Sequence, residues 1–480
     1  MIDGLTGVLI IPIVAATLFT LLPGYRLTAR LNIVAAFLTF VTASSLFVVE
    51  PRSGPYLLVD DLNKVFIVLT TFVGFTTSVF SASYIGHEIE NGRLTPASVR
   101  FYHAMYQVLM FAMNLALVAN NIGLMWVAIE VATLTTVLMV GIYRTHEALE
   151  AAWKYFILGS VGIALALFGT ILVYMAARPV IGEGIDAMVW STLVKHASQF
   201  DPALLNVAFV FLLLGYGTKV GLAPLHAWLP DAHAEGPTPI SAVLSGLLLN
   251  VALYALLRFK MLLALNPAAI APGPLMVIMG LISCLFAAFM LYRRRDIKRM
   301  FAYSSIEHMG IIAFAFGMGG PVANFAALLH MTVHSLTKSA IFFTVGHAAQ
   351  KAGSQLMDDI RGLITLSPTI GWGLMMGSLA ILGMPPFGVF ASEFLILTTA
   401  MKQQPWATPI LLLALGVAFA AIFSRVQPMV FGETTAKRLP HPPALLPVFT
   451  HLAVVLMLGI FIPPYLADWY RAAARLIGGQ

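Results

Sequence analysis

The sequence predicts an all-α polytopic membrane protein of about fourteen transmembrane helices, and three observations carry that prediction. Of its 480 residues 59% are hydrophobic and only 10% are charged, more apolar surface than a soluble core can bury. Windows of about 20 apolar residues, the length of a helix that spans a bilayer, recur from the first residues almost to the last. Two windows are too long for one crossing and contain helix breakers; irregular backbone at membrane depth is tolerated only inside protein or along a hydrated cavity.

In chain order the hydropathy rule places spans near residues 5–23, 31–49, 62–84, 101–118, 121–142, 155–176, 205–235, 238–259, 272–292, 302–318, 321–348, 365–402, 406–432 and 445–465. The first, "LTGVLIIPIVAATLFTLLP", has no basic segment before it and no small-residue cleavage site after it, so it reads as a retained helix rather than a signal peptide. The seventh window carries Gly221, Pro224 and Pro230, and the twelfth carries "GMPPFG" at residues 383–388. Broken helices five spans apart point to an internal inverted repeat, with spans 4–8 and 9–13 as its units; the halves share no strong residue-level similarity, so the repeat is inferred from placement. The chain then divides into N-terminal helices (1–100), a first repeat (101–265), a second repeat (266–435) and a C-terminal helix with its tail (436–480). Residues 177–204, amphipathic and containing Trp190, read as a surface loop with a short interfacial helix.

Basic residues gather after odd-numbered crossings: Arg26 and Arg30, Arg93 and Arg100, Arg144, the cluster Arg293, Arg294, Arg295, Lys298 and Arg299, then Arg361, Lys437 and Arg438. Loops after even crossings hold fewer, among them Arg52, Arg178 and Lys195. By the positive-inside rule the N-terminus lies on the non-cytoplasmic side. "RRRDIKR" reads as a topology anchor that snorkels to the interface, with partner docking as the competing role. The net charge of +6 has the same origin, and no nucleic-acid partner is implied.

Few ionisable residues remain inside the spans. Glu130 stands about nine residues, roughly 13 Å, from the start of its run. Lys219 lies in the first broken helix, with His226 and His233 in the break itself. Glu307 and His308 share one span; His330, His334 and Lys338 are spaced by four and fall on one helical face. Glu393 follows the second break. A charge at the bilayer centre costs at least about 2.5–3.5 kcal/mol, so a set this large must pair and line a polar path. Lysine and glutamate give up their charge more readily in low dielectric, and imidazole titrates near neutrality already. A Glu130–Lys219 pair holds the lysine charged while the two are close, and separating them drives its proton away. Proton relay is the reading.

Each residue also has a plainer role. Lys219 suits a cap for a half-helix C-terminus. His330 and His334 suit packing histidines hydrogen-bonded to a neighbouring helix, and as a metal pair they lack a third ligand within sequence reach. His226 and His233 serve equally to satisfy backbone in the break. Glu307 and His308 could form an inlet from the cytoplasm or a salt-bridged helix start. The single cysteine, Cys284, cannot build a disulfide, an iron–sulfur site or a four-thiolate zinc site by itself. Any redox chemistry therefore belongs to a partner.

"KVGLAPLHAWLPDAHAEGPTPISAVLSGLLLNVALYALLRF", "RRRDIKRMFAYSSIEHMGI", "HSLTKSAIFFTVGH" and "GMPPFGVFASEFLIL" resemble, in order, the antiporter-like membrane subunits shared by respiratory complex I, Mrp-type sodium/proton antiporters and membrane-bound group 4 [NiFe] hydrogenases. The resemblance runs from about residue 60 to residue 430, and "SSIEHMG" and "LSGLLLN" are most similar to the hydrogenase-4 component F branch. By that resemblance Glu130 matches the family's fifth-helix glutamate, Lys219 the seventh-helix lysine paired with it, Lys338 the central residue of the eleventh-helix region and Glu393 the terminal residue of the twelfth. It implies two proton half-channels joined by a polar axis in a prokaryotic inner membrane, driven by a peripheral redox arm. No cofactor is implied for this chain; a [NiFe] centre and iron–sulfur clusters are implied for partner subunits.

The sequence departs from the family pattern in two places. Many relatives carry lysine or histidine in the eighth helix where this chain has Asn250; asparagine can hydrogen-bond a water chain but cannot store a proton, so the link from Lys219 to Lys338 has to be hydrated or the coupling is weaker. The largest complex I relative continues into a long lateral helix, whereas this sequence stops at Gln480, which argues against that subunit. The expected function is a proton-translocating membrane subunit of a multisubunit redox complex. A cation/proton antiporter subunit without a redox partner, exchanging protons for a cation such as sodium, and a proton-silent scaffold are the alternatives.

Overall fold

The structure, a computed structural model, describes residues 4–22, 24–49, 51, 53–434 and 445–479. Arg52, Lys437 and Arg438, used above as topology signals, and the boundary at 435 lie outside the described residues. Apart from isolated β-bridges, the regular structure of those residues is helical.

The peripheral helices α1 (Gly4–Leu21) and α2 (Tyr25–Ser45) precede α3 (Asp61–Glu90), which starts at a capping box: the Asp60 carboxylate accepts from the Leu62 and Asn63 backbone N–H groups and the Asn63 side chain accepts from the Asp60 N–H. Next come α4 (Pro96–Val118), α5 (Ile122–Val140), capped by Asn121, and α6 (His146–Ile181), capped by Thr145. A short α7 (Trp190–His196) leads to α8 (Pro202–Val220), α9 (Trp228–Glu235), α10 (Thr238–Val243) and α11 (Leu249–Ala264). A π-helical turn, Leu244–Leu248, joins α10 to α11. The second half comprises α12 (Pro272–Leu291), α13 (Ile297–Met318), α14 (Gly320–Ala352), α15 (Leu363–Leu366), α16 (Pro368–Ile381), α17 (Gly388–Gln403) and α18 (Thr408–Phe431). Last are α19 (Leu446–Ile460) and α20 (Pro464–Ile477), set at 80° to each other.

Among the described residues ten helices are long and apolar enough to cross a membrane, or eleven if the bent pair α19 and α20 counts as one span. Helices α13 and α14 have the length but not the apolarity. Their burial explains why: almost every residue of α13 and of α14 between Ala326 and Ala348 is enclosed by protein, as is the whole α10–α11 span. A helix without a lipid face need not be apolar all round, and polar residues are tolerated there.

Both anticipated breaks are present and share one local geometry. Helix α8 ends at Gly221 (φ 80°), where the Leu222 N–H donates to the Gly217 carbonyl (2.9 Å) and the Gly221 N–H to that of Thr218 (3.2 Å). Helix α16 is followed by Gly383 (φ 65°), where the Met384 N–H donates to Leu379 (3.1 Å) and the Gly383 N–H to Ala380 (3.2 Å). This is the Schellman termination, which favours glycine because its positive φ costs other residues steric strain. Carbonyls freed by the break are thereby satisfied at membrane depth.

Several boundaries differ from the sequence reading. Helix α2 begins at Tyr25, so Arg26 and Arg30 sit on its first turns rather than in a loop. Helix α4 begins at Pro96, so a boundary at residue 100 cuts it. Helix α6 runs from His146 to Ile181, beyond both ends of its apolar window. Trp190 is buried rather than interfacial: its indole N–H donates to the Arg258 carbonyl (3.0 Å) and its face stacks on the Arg258 guanidinium (4.3 Å).

Candidate functional site

Near the middle of α5, Glu130 faces the last turn of α8. The Lys219 ammonium lies 3.9 Å from Glu130 Oε2 and donates to Thr133 Oγ1 at 2.8 Å. Glu130 Oε2 is buried without a hydrogen-bond partner, so the carboxylate and the ammonium are close without being locked together. Space for the ammonium comes from Gly159 of α6, where a Cβ would sit 2.9 Å from Nζ. Tyr155 forms the floor, its ring centroid 6.0 Å from Nζ, and stacks on Trp228 of α9 at 4.3 Å. Trp228 in turn donates to the Thr218 carbonyl (2.8 Å). The break thus fixes Lys219 from behind, while Thr133 and Glu130 offer it two resting places.

Asn250 stands on α11, two residues beyond the π segment. Its amide donates to Ser335 Oγ of α14 (2.7 Å) and to the Gly246 carbonyl (2.9 Å), while its Oδ1 is buried and unpartnered. A Cβ at Gly246 would meet Ser339 Oγ at 2.8 Å, so glycine lets the π turn press against α14. Ser245 and Ser305 share a hydrogen bond (2.7 Å) between this span and α13. Lys338 is fully buried on α14 and donates to the Phe301 carbonyl (3.0 Å). The carboxylate whose field acts on Lys338 is Glu307, and the same carboxylate acts on Glu393. Glu307 therefore stands electrostatically between the two.

The third group surrounds Glu393, on α17 after the second break. His308 Nδ1 lies 3.0 Å from His330 Nε2 and 4.0 Å from Glu393 Oε1. His330 Nδ1 lies 2.9 Å from Ser392 Oγ. The His334 ring centroid is 5.3 Å from that of His308, and both His334 nitrogens are buried without a partner. Glu393 Oε1 also lacks a partner, and its carboxylate fills the space a side chain at Gly383 would need. The pair His330 and His334 thus gains, from α13 and α17, neighbours that its spacing in the sequence does not reveal.

His226 is set apart from these groups by its surroundings: its ring packs on Phe286 (4.7 Å) and Tyr303 (6.2 Å), and its Nδ1 is unpartnered. His233 stacks on Phe342 (5.0 Å). Two residues of "RRRDIKR" do more than anchor topology. Lys298 is buried and donates to the Ala234 (2.8 Å) and Gly236 (2.7 Å) carbonyls at the end of α9, while Arg299 pairs with Asp231 and with Glu235 (3.1 Å). They clamp the segment that follows the first break.

Other polar residues escaped sequence reasoning. Arg258, buried on α11, pairs with Asp60 (2.7 Å) and donates to Tyr254 Oη (2.8 Å). Burial works against the Asp60 carboxylate, yet Arg258 and the backbone N–H groups of Leu62 and Asn63 hold it below the usual carboxylate range. Glu88, at the end of α3, is fully buried and accepts from Gln350 (2.7 Å). Both carboxylates lie at the edges of apolar runs, where hydropathy reads them as loop; the only signal was the capping pattern "DDLN" at residues 60–63.

Residues 119–421, which contain all three groups, match the family described as NADH:quinone oxidoreductase/Mrp antiporter, TM. The chain belongs to this family. Over 471 residues it is 57% identical to the hydrogenase-4 component F homolog of Methylacidiphilum infernorum, covering 98% of this chain and 99% of that one. Its fold matches a chain of the membrane-bound sulfane sulfur reductase, an archaeal respiratory membrane complex, with a TM-score of 0.88 at 23% identity, covering 98% and 97% of the two chains. A chain of the Mrp complex from Dietzia sp. matches with a TM-score of 0.84 at 18% identity, covering 99% and 97%. At those identities the two structures speak for the fold alone. Family membership and the component F homolog agree with the resemblance carried by the four quoted motifs.

Proposed function

We propose that this chain is the proton-translocating membrane subunit of a multisubunit redox complex, a group 4 [NiFe] hydrogenase or a close relative. The observation that carries the reading is the row of buried ionisable side chains, with Lys219 3.9 Å from Glu130, Lys338 facing the charge of Glu307, and Glu393 4.0 Å from His308. The 57% identity to a hydrogenase-4 component F homolog favours that parent complex. Other membrane subunits of the complex are its partners, together with a peripheral arm that holds the [NiFe] centre and iron–sulfur clusters.

In this reading Glu130 and Lys219 are the switching pair. Moving Lys219 from Glu130 toward Thr133 weakens its hold on the proton, because a hydroxyl offers a hydrogen bond but no countercharge. Asn250 and Ser335 orient water between Lys219 and the middle of the row, storing no proton themselves. Lys338 is the central relay, Glu307 hands its charge toward the second break, and His308, His330 and His334 serve Glu393 as the exit. His226 belongs to the wall of the path.

The finer architecture is fourteen crossings, with residues 101–265 and 266–435 as inverted repeats between the N-terminal helices and the C-terminal segment. The shared glycine termination of α8 and α16 supports it. The charge pattern supports an N-terminus on the non-cytoplasmic side of a prokaryotic inner membrane. The test is Lys219→Ala in the intact complex, measuring proton translocation and redox turnover together. Translocation should be lost; if both are unchanged, the relay reading fails. The Mrp-like fold favours one second reading, a cation/proton antiporter subunit, for which sodium-dependent proton flux without any electron donor is the sign. Silent substitutions at Glu130, Lys219, Lys338 and Glu393 alike would leave only a scaffold.

A further inference from the structure

We propose that His308, His330, His334 and Glu393 form a binding site for one divalent first-row transition-metal ion, with zinc as the ion to test. The inference does not need the relay reading, because it rests on where lone pairs converge.

The protons of the cluster can be counted. Ser392 uses its hydroxyl hydrogen on the Val389 (2.9 Å) or Gly388 (3.2 Å) carbonyl, so at 2.9 Å from His330 Nδ1 it accepts. That fixes the His330 proton on Nδ1 and leaves Nε2 as a lone pair. A neutral imidazole has one proton, so His308 brings at most one proton to the face its Nδ1 shares with His330 Nε2. The two nitrogens then face each other at 3.0 Å with at most one proton between them, and the unpartnered Glu393 Oε1 lies 4.0 Å from His308 Nδ1. A metal ion that takes the place of that proton meets three converging donor atoms.

The dimensions suit a metal. The donor atoms of His308, His330 and Glu393 all lie within 4.8 Å of one another. Zinc bonds of about 2.0–2.1 Å in a tetrahedron set the ligands roughly 3.3 Å apart, between the 3.0 and 4.0 Å observed. His334, one turn along α14 with two unpartnered nitrogens, supplies a fourth ligand by rotating its ring. His330 has the outer partner that a metal-bound imidazole requires, Ser392 Oγ behind its Nδ1 at 2.9 Å. Imidazoles with one carboxylate favour zinc, copper or nickel over the alkali and alkaline-earth ions. The second break, whose Gly383 lies against the Glu393 carboxylate, exposes Met384, Pro385 and Pro386 at the surface. A bound ion takes the lone pairs a travelling proton would use, so the site doubles as a plug.

The test uses the intact complex, extracted in detergent, stripped with a chelator and dialysed against zinc chloride. Zinc per chain is measured by mass spectrometry and its coordination by X-ray absorption. Wild type should bind one zinc more than a complex carrying His308→Gln and Glu393→Gln, with the extra zinc held by nitrogen and oxygen at about 2.0–2.1 Å. Ser392→Ala, which keeps every ligand and guards against a folding failure, should weaken binding about 10–100-fold. Equal zinc in wild type and the double variant, or sulfur around the extra ion, overturns the site. Because zinc is counted without turnover, the result is separate from proton translocation: if Lys219→Ala abolishes translocation while zinc does not distinguish wild type from the double variant, the relay stands and the metal site falls.

Discussion

Lys219 is held by a hydroxyl at 2.8 Å and by a carboxylate at 3.9 Å, so the shorter bond is the one without charge. Replacing Thr133 with valine keeps the shape and deletes the hydroxyl. A hydrogen bond to a charged group is worth about 1.5–3 kcal/mol, so Thr133→Val should shift the ammonium toward Glu130 by tenfold or more; reconstituted complex should turn over while moving fewer protons per electron. Asp60 makes a different prediction. Its carboxyl sits below the ordinary value of about 3.9, so its contribution to stability is complete above that value and is lost only as pH falls through the lower folded value. Asp60→Ala strands Arg258 in the interior, at a cost on the order of 3–5 kcal/mol, and the drop in thermal midpoint should be constant from about pH 6 to pH 8. Lys219 and Glu130 were legible in the sequence because charges in apolar runs are rare. Thr133 and Gly159 were not, since their role comes only from how α5, α6 and α8 cross.

At the scale of the element, glycines decide how closely helices approach. Helices α12 and α13 cross with Gly280 and Gly310 face to face, and a Cβ at Gly310 would lie 2.6 Å from the Gly280 carbonyl oxygen. Backbone cannot yield as a side chain can, so Gly310→Leu should cost at least the roughly 1–3 kcal/mol of ordinary overpacking, seen as a lower thermal midpoint or lost assembly. Gly416→Leu on α18, where a Cβ meets nothing within 4 Å, should be neutral. The two breaks were legible because glycine and proline punctuate apolar runs so strongly. The π turn and the clamp of Lys298 on α9 were not: each depends on a surface that another element supplies. "RRRDIKR" shows the limit, since composition explains its charge while only packing shows that Lys298 points inward.

For the whole molecule, burial does not follow hydropathy: the α10–α11 span is both apolar and enclosed, while α13 and α14 are enclosed and less apolar. The peripheral helices α1 and α18 are strongly apolar and mostly unburied, whereas α13 and α14, which fall short of the apolarity of a lone span, are enclosed. A hydropathy rule therefore reads the rim most clearly and the centre least, although the centre carries the candidate path. Glu307 tests whether that centre acts as a unit. Glu307→Gln preserves size and removes the charge acting on both Lys338 and Glu393. The complex should assemble normally, while proton translocation falls by an order of magnitude or more in vesicles; unchanged translocation would remove Glu307 from the path.

Glu130, Asn250, Glu307 and Lys338 each lie near the midpoint of the helix or span that carries them. In the proposed relay, charge passed among them would travel sideways, from helix midpoint to helix midpoint. Carrying an elementary charge across the whole membrane takes about 2.3 kcal/mol for each 100 mV, but a lateral step does almost no electrical work. If the proposed relay holds, membrane voltage bears on the legs that join the row to either surface and leaves the stretch between Glu130 and Lys338 free to respond to the chemistry of the proposed partner arm.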